Sequence, residues 1–224
     1  MNLINDYDAA IFDLDGTLID SMPLWKNFCS HWLLSIGKTP EAALEDDILS
    51  MTIGQSADYI NRRYALNISR EGLLKAWEGV MTPRYLQGAV LKKGAAELVK
   101  RLSEKMKLGI ATYSFPGSCR AVLEQHKILS YFSSFIFAHE FEDKSKNASV
   151  KKDPEFWIEA ARRLETEPAK CVVFEDSWSS LEGIRGAGMG IVAVFDQSST
   201  KWPLLSKAAD LAVNYPGEAL NYGS

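Results

Sequence analysis

The chain has 224 residues, a formal net charge of −4 and a pI near 5.5. That balance lacks the basic face that non-specific nucleic-acid binding requires, so no nucleic-acid partner is expected. Apolar residues make up 46%, enough to bury a substantial core. No apolar run approaches the ~20 residues of a membrane helix, and Met1 to Asp8 lack the basic-then-apolar pattern of a signal peptide. The expectation is a cytoplasmic protein with no membrane partner, monomeric or weakly self-associating. Cys29, Cys119 and Cys171 lie inside apolar patterns at no metal-like spacing, which predicts buried free thiols.

In chain order, Ala9 to Phe12 is a short apolar run that suits a buried strand. Pro23 then suits a first helical turn, with Ser21 as its cap. Leu24, Phe28, Trp32 and Ile36 recur at helical spacing until Gly37. Thr39-Pro40-Glu41 predicts the start of a second helix running to about Met51, and Gly54–Ala65 and Ser69–Leu86 predict two more. Nothing between 21 and 86 alternates like a strand. From Val90 onward helices and strands alternate. Strands are predicted at Leu108–Ala111, Phe135–Ala138, Cys171–Phe174, Ile191–Phe195 and Leu211–Val213. Helices are predicted from Gly94, Pro116 and Asp153 and over Ser179–Gly186. This pattern predicts an α/β fold, a doubly wound parallel sheet with helices on both faces. Glu142 to Lys152 is the most polar stretch and is predicted to be a loop.

The chemistry starts at the exit of the first strand. Asp13 and Asp15 lie two residues apart, so in strand geometry they point the same way. Two carboxylates at 4 Å repel by about 4 kcal/mol at an effective dielectric of 20, and a divalent cation relieves that repulsion. Gly16 permits a sharp exit. Ligands of open parallel sheets bind beyond the carboxyl ends of the strands, so the other strand ends should complete the site. Thr112-Tyr113-Ser114 ends one strand just before a helix start at Pro116, where free N–H groups suit a phosphate, although a hydroxyl there can equally cap the helix. Lys151 and Lys152 precede the helix at Asp153 and offer ammonium groups to an anion. Glu175-Asp176 end another strand, and paired carboxylates suit a hard cation.

The run Asp13-Leu14-Asp15-Gly16-Thr17-Leu18 after an apolar strand resembles the first motif of the haloacid dehalogenase superfamily. Thr112 matches the second motif. Val150-Lys151-Lys152-Asp153-Pro154-Glu155 resembles the third, Lys-Pro-x-Pro-Asp, with Lys152 in place of the first Pro. Glu175-Asp176 matches the fourth. The resemblance implies a Rossmann-like core formed by residues 1–19 and 87–224, with an inserted all-helical cap domain over 20–86. It implies Asp13 as nucleophile and Asp15 as acid/base, with Thr112, Tyr113 and Lys151 binding the substrate phosphate. It also implies Mg2+ held by Asp13, the Asp15 carbonyl and Asp176, with Glu175 either a direct ligand or the holder of a bound water.

An acid at position 15 points to phosphoryl transfer, because family members that cleave carbon–halogen bonds typically carry Tyr there. The expected activity is hydrolysis of a small phosphorylated metabolite, a sugar or sugar-alcohol phosphate. The alternative is a β-phosphoglucomutase-like transfer, although such mutases carry His where Trp25 stands, five residues after Asp20. A non-catalytic binding protein on the same fold would be expected to lose Asp13 or Asp15.

Overall fold

The computed structural model describes residues 6–48, 51–142 and 149–222. Strands β1 (Ala9–Phe12), β4 (Lys107–Thr112), β5 (Ser134–Phe137), β6 (Cys171–Glu175), β7 (Gly190–Val194) and β8 (Leu211–Val213) pair in the order β5-β4-β1-β6-β7-β8. Every pairing in that sheet is parallel, with Phe12 opposite Ile110 on one side and Phe174 on the other. A further antiparallel pair joins β2 (Ile19–Asp20) to β3 (Val90–Leu91). Those two strands lie where the chain leaves the sheet for the helical stretch and where it returns.

The period-two alternation of buried strands divides the apolar core. Ala10, Phe12, Val172 and Phe174 face one layer, in which Phe12 stacks on Phe174 at 4.5 Å between centroids. Ala9, Ile11, Cys171 and Val173 face the other, against Phe156, Trp157 and Ala160 of the helix Pro154–Arg163. The first layer runs without a break into the helical stretch through Leu33, Trp77 and Tyr85. There the helix Arg70–Gly88 lies beside Pro116–Gln125, joined by Glu78 accepting from the Gly117 N–H at 2.5 Å and by a 2.9 Å contact between the hydroxyls of Thr82 and Ser118. The three cysteines are buried and free, as their apolar settings predict. Among the described residues no helix is long and apolar enough to cross a membrane.

Two helical expectations shift. The stripe from Leu24 to Ile36 is not one helix but Met22–Trp25 followed by Phe28–Ser35, because Asn27 between them adopts the left-handed conformation (φ 54°), which Asn tolerates better than most residues. The next helix begins at Leu44 rather than at Pro40. Glu41 is tied instead to the helix Ile53–Arg63 and its end, its N–H donating to Tyr64 Oη at 2.9 Å and its carboxylate pairing with Arg63 at 2.7 Å. Within the predicted loop 142–152, residues 143–148 lie outside the described residues, and Val150–Lys152 form a 3-10 turn.

The strand order reverses between β1 and β6, since the chain builds β4 and β5 on one side of β1 and then β6 to β8 on the other. This crevice is where an open α/β sheet binds ligands. The loops that leave β1 and β7 are joined by a cation. Lys92, just after β3, donates to the Gly16 carbonyl, to the Phe195 carbonyl at 2.7 Å and to Asp196 at 2.9 Å. The Lys92 and Asp196 side chains are 13% and 3% exposed, so removing one partner leaves a poorly solvated charge. Lys92→Met is expected to cost about 3 kcal/mol in urea unfolding. A loss below about 0.5 kcal/mol, the range of an ordinary surface substitution, would show that the staple is dispensable.

Candidate active site

Asp13 is the first residue past β1, and its N–H donates to the Phe174 carbonyl at 3.0 Å, so the two strand exits are locked side by side. β6 ends at Glu175, with Asp176 next. Carboxylate oxygens of Asp13, Glu175 and Asp176 all lie within 4.8 Å of one another, and all three residues are buried. The sharp exit that places them needs Gly16, which sits at φ +85°. A Cβ there would stand 2.6 Å from Asp176 Oδ2, so both the backbone and the space exclude a side chain.

Lys151 enters this cluster from the 3-10 turn. Its Nζ donates to Asp13 Oδ1 at 2.5 Å and to Glu175 Oε1 at 2.9 Å, and the residue is only 2% exposed. The aromatic faces of Tyr113 and Trp157 lie 5.6 and 5.7 Å from the same ammonium. Trp157 Nε1 donates to the Lys151 carbonyl at 2.8 Å, and the Lys151 N–H donates to the Tyr113 hydroxyl at 3.2 Å. Glu175 is further held by Ser180 Oγ at 2.5 Å and the Ser177 N–H at 2.7 Å. Asp176 accepts only a 3.1 Å bond from Thr17 Oγ1 among the side-chain bonds described.

Charge balance follows from this wiring. Burial works against the Lys151 charge, but Asp13 and Glu175 overcome it and hold the ammonium above the usual lysine range. Glu175 is likewise buried, yet Lys151, Ser180 and the Ser177 N–H keep its carboxyl below the usual range. Asp13 goes the other way. Burial, with Glu175 and Asp15 nearby, pushes it up to about 7 in spite of Lys151. Burial, then Glu175 and Asp13, push Asp176 well above the ordinary carboxyl range. Two of the three carboxylates pair with the one ammonium and Asp176 does not, and the donor set is all oxygen, which fits a hard divalent cation.

Asp15 is wired differently. Its Oδ1 accepts from Ser21 Oγ at 2.5 Å, from Trp25 Nε1 at 3.3 Å and from the Tyr85 hydroxyl, and its Oδ2 accepts from Ser114 Oγ at 2.5 Å. Burial, and then the Asp15 carboxylate, push the Tyr85 phenol well above its usual range, so it remains a proton donor.

A cavity of about 470 Å³ opens over these groups. Asp13, Asp15, Tyr113, Lys151, Glu175 and Asp176 line it, so six of the seven residues singled out in the sequence face one space. Thr112 ends β4 fully buried behind that wall, with its Oγ1 accepting the Ser114 N–H at 3.0 Å. Sequence reasoning did not pick out Tyr85, or Ser21 and Ser114 as partners of Asp15. It also missed the rim formed by Ser177–Ser180 and Ser198–Lys201. The small residues after Glu175-Asp176 were the one available signal for that rim.

Comparison with known proteins agrees with this geometry. The family model described as haloacid dehalogenase-like hydrolase matches residues 7–188. The chain is 28% identical to a phosphorylated carbohydrates phosphatase of Thermotoga maritima, over 96% of this chain and 97% of that protein. It is 27% identical to a β-phosphoglucomutase of Bacillus subtilis, over 83% and 82% of the two chains. The crystal structure of CbbY from Rhodobacter sphaeroides in complex with phosphate superposes with a TM-score of 0.76 at 18% identity, covering 95% of this chain and 96% of that one, a likeness of fold. With the four motifs in order on a six-stranded parallel sheet and the family model spanning most of its length, the chain belongs to the haloacid dehalogenase-like hydrolases.

Proposed function

We propose that the chain is a magnesium-dependent phosphatase of small phosphorylated metabolites, sugar or sugar-alcohol phosphates, acting through an aspartyl phosphate on Asp13. The observation that carries this reading is the placement of Asp13 on the cavity wall, held by Lys151 through one oxygen, with Asp15 facing the same cavity. Asp13 Oδ1 bonds to Lys151, which leaves Oδ2 to attack phosphorus in line. Asp15 gives a proton to the leaving oxygen and later takes one from the water that hydrolyses the aspartyl phosphate. Lys151 and Tyr113 bound the phosphate side, whereas Thr112 stands behind the cavity wall and the Gly117 N–H at the next helix start is already given to Glu78.

Asp13, Asp176 and the Asp15 carbonyl would hold magnesium. When bound, the ion neutralises the cluster and lets a phosphate dianion approach a carboxylate. Both oxygens of Glu175 are already engaged, which favours a role in fixing Lys151 and a metal-bound water over direct ligation. The helical segment 20–86 serves as a cap domain over this site. Met22, Trp25 and Ile53 from it already line the cavity. The substrate class is supported by the Thermotoga relative, whose name specifies phosphorylated carbohydrates. Phosphomutase activity is the second reading, supported by the Bacillus relative. Against it, Trp25 occupies the position of the mutase His, and its one N–H is spent on Asp15 and Tyr85.

With p-nitrophenyl phosphate the protein is expected to release phosphate with magnesium and to stop in excess chelator. Asp13→Asn is expected to lose at least about 10³-fold in kcat, as removal of a covalent nucleophile does. Retained turnover in that variant would refute Asp13 as nucleophile. Given β-glucose 1-phosphate and a bisphosphate primer, free phosphate is the expected product. Glucose 6-phosphate without free phosphate would establish the mutase.

The acid cluster also predicts a pH dependence. The folded Asp13 value of about 7 lies above its ordinary 3.8, so the folded state favours the protonated carboxyl, and that preference costs stability as pH rises toward 7. A divalent cation competes with that proton. The rise in Tm on adding magnesium should therefore be larger at pH 8 than at pH 6. An equal or reversed difference would mean that the ion binds elsewhere.

A further inference from the structure

Asp15 is gripped from both chain crossings between the sheet and the helical segment. Ser21 and Trp25 reach it just after β2, and Tyr85 reaches it from the last turn of Arg70–Gly88, just before β3. Tyr85 is fully buried and is itself held on two sides. It accepts the indole N–H of Trp25 at 2.8 Å and lies 2.8 Å from the hydroxyl of Ser114. The Trp25 ring also stacks on Phe115 at 6.0 Å, so the indole that fixes Tyr85 is fixed in turn. Of the two Asp15 oxygens, Oδ1 takes three donors and Oδ2 takes one. A carboxylate oxygen has about two lone-pair sites, so Oδ1 is saturated and Oδ2 keeps a free one.

We propose that Tyr85 is a positioning residue that pins Asp15 through Oδ1 and so presents Oδ2 as the oxygen that passes the proton to the leaving group. The inference rests on the phosphatase reading above. In the step concerned, the bond from Asp13 Oδ2 to phosphorus forms and the bond from phosphorus to the ester oxygen breaks. The electron pair of that broken bond takes the proton carried by Asp15 Oδ2. Tyr85 gains and loses nothing; it sets a direction. A proton donor misaimed by even an ångström loses much of its effect. The loss should scale with how badly the leaving oxygen needs the proton.

Two esters separate this role from a merely structural one. Benzyl phosphate leaves as an alkoxide and needs the proton; p-nitrophenyl phosphate leaves as a stable phenolate and needs it far less. The informative quantity is kcat/KM, because hydrolysis of the common aspartyl phosphate follows departure of the leaving group. Tyr85→Phe keeps the ring and removes only the hydroxyl. Its kcat/KM is expected to fall at least about tenfold further for benzyl phosphate than for p-nitrophenyl phosphate, within the range general acid catalysis supplies. An equal fall for both esters, or none, would overturn the proposal.

Trp25→Phe removes the N–H that holds Tyr85 and touches Asp15. It is expected to show the same leaving-group signature at smaller size, and it decides the matter if Tyr85→Phe does not fold. Its loss of both esters in equal measure would likewise overturn the proposal. Failure of the wild-type protein to turn over either ester, or full turnover by Asp13→Asn, would defeat the phosphatase reading and this inference with it. Wild-type turnover combined with leaving-group-independent variants would defeat the inference alone.

Discussion

Among the described residues one buried ammonium organises the rest. Lys151 holds Asp13 and Glu175 together at the seam between β1 and β6, where a third carboxylate, Asp176, stands beside them. Unit charges of one sign 4 to 5 Å apart repel by roughly 3–4 kcal/mol at an effective dielectric of 20, and one cation cannot offset three anions. A buried ion pair of this kind is a poor way to stabilise a fold, since an apolar replacement of like volume is often neutral or better. Its place at the crevice where the sheet reverses fits the proposed function, in which the cluster would hold a divalent cation and, through it, a phosphate.

The two aspartates of the first motif illustrate how environment sets role. Asp13 keeps one strong side-chain partner and lies among like charges, so its second oxygen is free and its proton affinity is raised. Asp15 sits among hydroxyl and indole donors from three different segments. The same residue type two positions along thereby stands in a different environment, which suits the proposed division of nucleophile from acid. Three of these four donors, Ser21, Trp25 and Tyr85, come from the two ends of the helical segment, so the orientation of Asp15 is tied to those helices.

The parts of the site that lie at strand exits were legible in the sequence through their combination, because acids after an apolar run also suit the start of the next helix and only their recurrence in the order of the motifs marks a site. Asp13, Asp15, Glu175 and Asp176 belong to that class. Lys151 was legible only through its resemblance to a motif. A Lys pair in a polar stretch ordinarily means solvent, and its burial comes from carboxylates 24 and 138 residues away in the chain. Tyr85 was not legible at all. It continues the spacing of Leu73, Trp77 and Met81 along one helix, and an apolar stripe hides one hydroxyl aimed at a distant carboxylate. Local signals also misled where tertiary contacts prevailed. Thr39-Pro40-Glu41 has the pattern of a helix start, yet Glu41 is drawn to Arg63 and Tyr64 and the helix begins at Leu44.

The acid cluster at the ends of β1 and β6 is the proposed divalent-cation site. Manganese substitutes for magnesium at oxygen-rich sites and scatters anomalously. Diffraction from crystals grown with manganese should show one strong anomalous peak among Asp13, Glu175 and Asp176, lost in crystals of Asp176→Asn. Density with no such peak at the cluster, or with the manganese bound elsewhere while the protein remains active, would contradict the account.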